Sequence, residues 1–138
     1  MTNHFSWRVR VYYEDTDAGG VVFYANYLKF FERARSEWLR AAGVQQQELM
    51  QTDAVMFVVT GAAVDYHAPA QLDDELMLTV TVEKLGRASV QFMQQAWRGE
   101  QLLTSGKIKA ACVDVKSFRP RPIPRSVLLK IAPQAEHT

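Results

Sequence analysis

Asp15 and Asp17 stand two residues apart in Tyr12-Tyr13-Glu14-Asp15-Thr16-Asp17-Ala18-Gly19-Gly20, and Val21-Val22-Phe23-Tyr24-Ala25-Asn26-Tyr27 follows directly. Helical spacing begins at the end of this stretch. A carboxylate is thus set beside a glycine pair and a helix start. The first N–H groups of a helix lack intrahelical partners and lie at the positive end of its dipole, so they cradle a developing anion. A free aspartate is ionised at neutral pH and can attack a carbonyl or take a proton from water. With donors for the resulting oxyanion close by, this is a kit for acyl-group hydrolysis. Asp17, two residues ahead of the glycines, is the candidate for chemistry, although Asp also serves as a plain turn or cap residue. Asp15 is expected to support the turn by hydrogen bonding to backbone. Strand alternation continued through the pair would point both carboxylates the same way. Gly19 and Gly20 permit positive φ and close approach of a substrate to backbone.

The elements that must position these groups follow from periodicity. Trp7 to Tyr13 alternates, with Val9, Val11 and Tyr13 on one face and Arg8, Arg10 and Tyr12 on the other, which predicts a half-buried strand. A helix is predicted from about Tyr24 to Ala42, its apolar stripe made of Leu28, Phe31, Ala34, Trp38, Leu39 and Ala42, with Gly43 as its stop. Arg33 with Glu37 and Glu32 with Arg35 have the spacing of helix-face ion pairs. Gln45 to Gln51 could form a second short helix. Period two then takes over, and Phe57 to Tyr66, Glu75 to Leu85, Ser89 to Arg98 and Leu102 to Asp114 read as strands. Gly86-Arg87 and Gly99-Glu100 fall at hairpin turns, and His67 to Asp74, with Pro69, makes a longer polar connection. The tail from Phe118 sets prolines among arginines ahead of an apolar piece at Val127 to Ile131. One long helix with one apolar stripe needs a sheet to cover it, so the fold class is α+β, an antiparallel sheet around a central helix. That layout leaves a sheet face and edge open, and pairing of two or more chains is expected to close them.

Bulk properties narrow the function further. The 138 residues fit a single domain, with residues 1–6 and 134–138 expected to be flexible. A net charge of +1 gives no support to a general nucleic-acid binder. Cys112 is the only cysteine, which excludes an intrachain disulfide and suits a small core residue. His4, His67 and His137 are scattered without metal-ligand spacing, so neither metal nor bound cofactor is expected. No apolar run has membrane-spanning length and no signal-type core opens the chain, which places the protein in the cytoplasm as an expectation.

The sequence resembles the hotdog-fold acyl-CoA thioesterases of the 4-hydroxybenzoyl-CoA type, and within them the Tol–Pal-associated, YbgC-like branch. The residues carrying this are Val9 to Val22, Asn26-Tyr27 and Phe31-Glu32-Arg33-Ala34-Arg35, then Ala68-Pro69-Ala70-Gln71-Leu72-Asp73-Asp74, Cys112-Val113-Asp114 and Arg119-Pro120-Arg121-Pro122-Ile123-Pro124. The first block is specific, and the likeness runs from about Trp7 to about Ile131. It implies a hotdog fold, hydrolysis of acyl-CoA to free acid and coenzyme A, and a homodimer or homotetramer with each site at a chain interface. It places the catalytic carboxylate on Asp17 and the oxyanion donor on the backbone N–H of Tyr24. One position departs from the branch, which usually has a histidine where this chain has Tyr24. A mechanism needing that imidazole is put in doubt, whereas one using the N–H is not.

Coenzyme A carries phosphates, so its site should be basic. Arg87 and Ser89 in the Gly86–Ser89 turn, and Arg119 and Arg121 among the prolines, are the candidates. Glu32 could be a second acid–base group facing a partner's pocket, or simply an ion-pair or hydrogen-bond partner on the helix face. Phe23, Tyr24, Tyr27 and Phe57 are expected to shape the acyl pocket. The rival readings are hydrolysis of acyl groups on acyl carrier protein, and a non-catalytic interaction module of the cell-envelope and phospholipid-synthesis machinery.

Overall fold

The computed structural model describes residues 5–134, so His4 and His137 lie outside the described residues. The elements run β1 (Phe5–Arg10), α1 (Asn26–Ala41), α2 (Gln46–Thr52), β2 (Val55–Tyr66), β3 (Glu75–Leu85), β4 (Ser89–Arg98), β5 (Gln101–Asp114) and α3 (Arg125–Ile131). The strands form one antiparallel sheet in the order β1-β3-β4-β5-β2. Two-residue spacing of buried positions, such as Leu76, Leu78, Val80 and Val82 on β3, gives the sheet one apolar face. The buried stripe of α1, made of Tyr27, Phe30, Phe31, Ala34, Trp38 and Leu39, belongs to the same core. This is the hotdog arrangement.

Several positions differ from the sequence-based expectation, among them the starts of α1 at Asn26 and of β2 at Val55. Phe5 and Ser6 pair with β3, so β1 starts earlier and the first six residues are not all loose. It also ends at Arg10 rather than Tyr13. Val11 leaves the ladder by bonding to the 73–74 loop, a turn of 3₁₀ helix follows at Tyr13–Asp15, and Tyr13 is 82% exposed. Leu28 is 42% exposed, and Tyr27 and Phe30 take the inward place assigned to it. The helix-face pairs also differ: Glu37 meets Arg40, Glu32 accepts the Ser36 hydroxyl, and Arg35 reaches across to the buried Gln94.

Gly106 on β5 sets how closely helix and sheet approach. A Cβ there would lie 3.2 Å from the Phe31 ring and 3.4 Å from Val64. Gly106→Val should therefore force the helix outward and lower stability by about 1–3 kcal/mol, read by denaturant unfolding.

Candidate active site

Asp15 is 6% exposed and fully engaged. Its Oδ2 accepts the Tyr12 N–H at 2.8 Å and its Oδ1 accepts the Asn26 side-chain amide at 2.9 Å. Its own carbonyl accepts the Phe23 N–H at 3.2 Å. The residue thus joins the end of β1 to the start of α1. Because residues 13–15 coil into a 3₁₀ turn, the chain does not stay extended, and the two acids part company.

Asp17 is exposed on a tight loop whose ends are clamped together. Thr16 bridges Val22, and the Asp17 N–H donates to the Val21 carbonyl at 2.9 Å. The Gly20 N–H donates to the Asp17 carbonyl at 3.1 Å, with Gly20 at φ +81°, a conformation suited to glycine. The Gly19 N–H donates to Asp17 Oδ1 at 2.8 Å. Among the described residues Oδ2 has no partner. One carboxylate oxygen orients the group and the other is available.

The chain then turns into α1. The Asn26 N–H donates to the Phe23 carbonyl at 2.9 Å, so the Tyr24–Ala25 turn precedes the regular helix by two residues. Neither the Tyr24 nor the Ala25 N–H meets an acceptor among the described residues. An open cavity of about 370 Å³ adjoins this turn, lined by Val21, Val22, Tyr24, Tyr27, Tyr66, His67, Ala68 and Pro69. The Ala70 N–H donates to the Tyr27 hydroxyl at 3.2 Å, which fixes the first turn of α1 against the 67–74 connection.

Tyr66 and His67 were not legible as site residues. They reach the cavity from the end of β2, and nothing in their local sequence marks them. Tyr24 and Tyr27 line this cavity. Phe57 instead lines a separate cavity of about 140 Å³ with Glu32, Arg35 and Trp38, and Phe23 lines neither. Burial lowers the pKa of Arg35, and nearby Glu32 opposes that shift.

Arg87, Ser89, Arg119 and Arg121 come together, at the other end of the sheet. The Ile123 N–H donates to the Arg87 carbonyl, the Cys112 N–H to that of Ala88, and the Arg121 N–H to that of Cys112. Tyr66 pairs with Thr104 and Phe57 with Cys112, eight residues apart along β5, so roughly 27 Å separates this cluster from the Tyr24 turn. Within one chain the cluster and Asp17 do not form one site. Cys112 is buried in the core, and burial pushes its thiol pKa up. The N–H groups of Ser117 and Lys116, with Arg121 after them, pull the pKa of Asp114 down to about 2.

Residues 19–105 match the thioesterase superfamily. The chain belongs to that superfamily. It is a thioester hydrolase. The acyl-CoA thioesterase YbgC of Haemophilus influenzae is 46% identical over 127 residues, covering 92% of this chain and 93% of the relative. The acyl-CoA thioester hydrolase YbgC of an Escherichia coli strain is 44% identical over 128 residues, covering 92% and 95%. Among solved thioesterase structures, a probable thioesterase from Bartonella henselae superposes with a TM-score of 0.84 at 34% identity, over 88% of this chain and 99% of that one.

Two outcomes follow from this geometry. Asp15→Ala strips the Tyr12 N–H and the Asn26 amide of their acceptor and should lower stability by about 1–3 kcal/mol in denaturant unfolding. Asp114 has a depressed pKa in the fold, so its stabilisation is complete above the ordinary carboxylate value of 3.8 and is lost as pH falls toward about 2. The difference in thermal midpoint between the wild type and Asp114→Asn should be constant near neutrality and close across that acid window.

Proposed function

We propose that this thioesterase hydrolyses acyl-CoA to free acid and coenzyme A, with Asp17 as the reacting carboxylate and the Tyr24 N–H holding the thioester oxygen. The observation that carries this reading is the clamped Asp17 turn followed in the chain by two backbone N–H groups that meet no acceptor among the described residues. The printed names of the Haemophilus and Escherichia relatives agree with it.

Two routes fit the free Oδ2 of Asp17. It attacks the thioester carbon, the coenzyme A thiolate leaves, and water opens the resulting anhydride. Alternatively it takes a proton from water as the hydroxyl adds to that carbon, and the thiolate leaves the tetrahedral intermediate. Both place negative charge on the carbonyl oxygen facing the helix start, and donors there bind that developing charge more strongly than the neutral carbonyl. Neither needs an imidazole at position 24.

The site is completed by a second copy of the chain. β2 is an edge strand of 12 residues, with Val59 and Tyr66 exposed, and among the described residues its outer ladder is unpaired and open to a partner. Two-fold antiparallel pairing of β2 with its copy would set the Val55 end of one strand beside the Tyr66 end of the other. The basic cluster of one chain then comes toward the Tyr24 turn of its partner. In this arrangement Arg87, Ser89, Arg119 and Arg121 receive the phosphates of coenzyme A. Such dimers can pair further into a tetramer.

Asp17→Asn should lower kcat at least about a hundredfold. Tyr24→Phe keeps the N–H and should stay within about threefold of wild type. A rate series over short, long and aromatic acyl-CoAs, with the same acyl groups on acyl carrier protein, checks both. Full hydrolysis by Asp17→Asn across that series would end the assignment, and faster turnover of the carrier-protein thioesters would move the substrate class. One turnover in ¹⁸O-water separates the routes, since label enters Asp17 only if an anhydride forms.

A further inference from the structure

The Tyr66 hydroxyl donates to the Tyr24 carbonyl at 3.0 Å. That carbonyl also accepts the Tyr27 N–H at 3.3 Å, across the start of the helix. It belongs to the Tyr24–Ala25 peptide, whose other polar group is the Ala25 N–H. A peptide unit is planar, so fixing its carbonyl direction fixes the direction of its N–H. A hydrogen bond on the carbonyl also polarises the unit and strengthens its N–H as a donor. The Tyr66 ring is held for this task, with its centroid 4.8 Å from that of Tyr24 and 5.6 Å from that of Tyr27. Partial burial, then neighbouring Tyr27 and Tyr24, raise the pKa of its phenol.

We propose that the Ala25 N–H is a second donor to the oxyanion, beside that of Tyr24, and that Tyr66 is the positioning residue that aims it. This rests on the assignment of the Tyr24 turn as the oxyanion site. The sequence conceals the connection because Tyr66 arrives from the far end of β2 and bonds to backbone. The consequence for the reaction is specific: loss of the Tyr66 hydroxyl weakens transition-state binding while leaving acyl-CoA binding in the ground state untouched.

Tyr66→Phe retains the ring and removes only the donor. With the best acyl-CoA of the rate series, kcat should fall about fivefold to tenfold, with KM within about twofold. The thermal midpoint should move by no more than about 2 °C. Ala25 has φ −66°, the value a proline imposes, so Ala25→Pro removes the second N–H at its own φ, at the cost of crowding Tyr24 just before it. It should lower kcat about a hundredfold. Tyr66→Phe added to Ala25→Pro should then produce no further loss, because Tyr66 acts through the missing group. Wild-type kcat in Tyr66→Phe, or equal fold losses in the two backgrounds, would overturn the proposal. If Ala25→Pro does not fold, the kcat and KM of Tyr66→Phe decide alone, and a change confined to KM rejects it. Asp17→Asn measured in parallel keeps the two claims apart. Full activity there removes the assignment of the site itself, whereas its inactivity beside an unaffected Tyr66→Phe removes only the second donor.

Discussion

The buried carboxylate of Asp15 is the constraint from which the rest of the site follows. No salt bridge with Asp15 occurs among the described residues, and a buried polar group without partners is costly. It is satisfied by the Tyr12 N–H and the Asn26 amide, so the end of β1 and the first turn of α1 are held to one point. The five residues between Thr16 and Val22 must then leave and return over a short gap, and they do so as a tight loop closed by the Thr16–Val22 bridge. Asp17 is carried outward on that loop. The two acids share a residue type and a motif, yet one is spent on geometry and the other is left exposed.

The loop alone does not make a thioester site. Its exposed carboxylate and the Tyr24 and Ala25 N–H groups, which meet no acceptor among the described residues, lie at one end of the sheet near an open cavity lined by Tyr24, while the arginines suited to phosphates lie at the far end. Charge is balanced over the whole sequence but gathered locally, with Arg87, Arg119 and Arg121 drawn together by backbone bonds around Cys112. The proposed two-fold axis across the β2 edge would resolve the separation, because antiparallel pairing would exchange the ends of the two sheets. The same pairing would cover the unpaired ladder of β2.

Local signals were strong where one periodicity ran unbroken. The end of β3, both ends of β4 and the start of β5 fall where period-two alternation meets the turns at Gly86 and Gly99, and α1 stops just before Gly43, which takes φ +90°. The signal failed where long-range bonds overrule it. Val11 continues the alternation of β1 but is captured by the 73–74 loop, and Tyr24 belongs to a turn closed on Phe23 rather than to the helix proper. Leu28 fits the stripe by spacing, but Tyr27 and Phe30 fill that space. Of the candidate site, Asp15, Asp17, Gly19, Gly20 and Tyr24 were legible because they are contiguous. Tyr66 and His67 were not, since only the sheet order brings the end of β2 to the helix start.

The central claim is that a working site needs the Asp17 turn of one chain and the arginine cluster of another. Co-expressing an Asp17→Asn chain with an Arg87→Ala/Arg119→Ala/Arg121→Ala chain tests it most directly, each being weak or inactive alone. In mixed dimers one of the two sites pairs an intact turn with an intact cluster. Random pairing should then restore about a quarter of wild-type acyl-CoA hydrolysis. Activity no higher than the sum of the two separate variants would contradict the account.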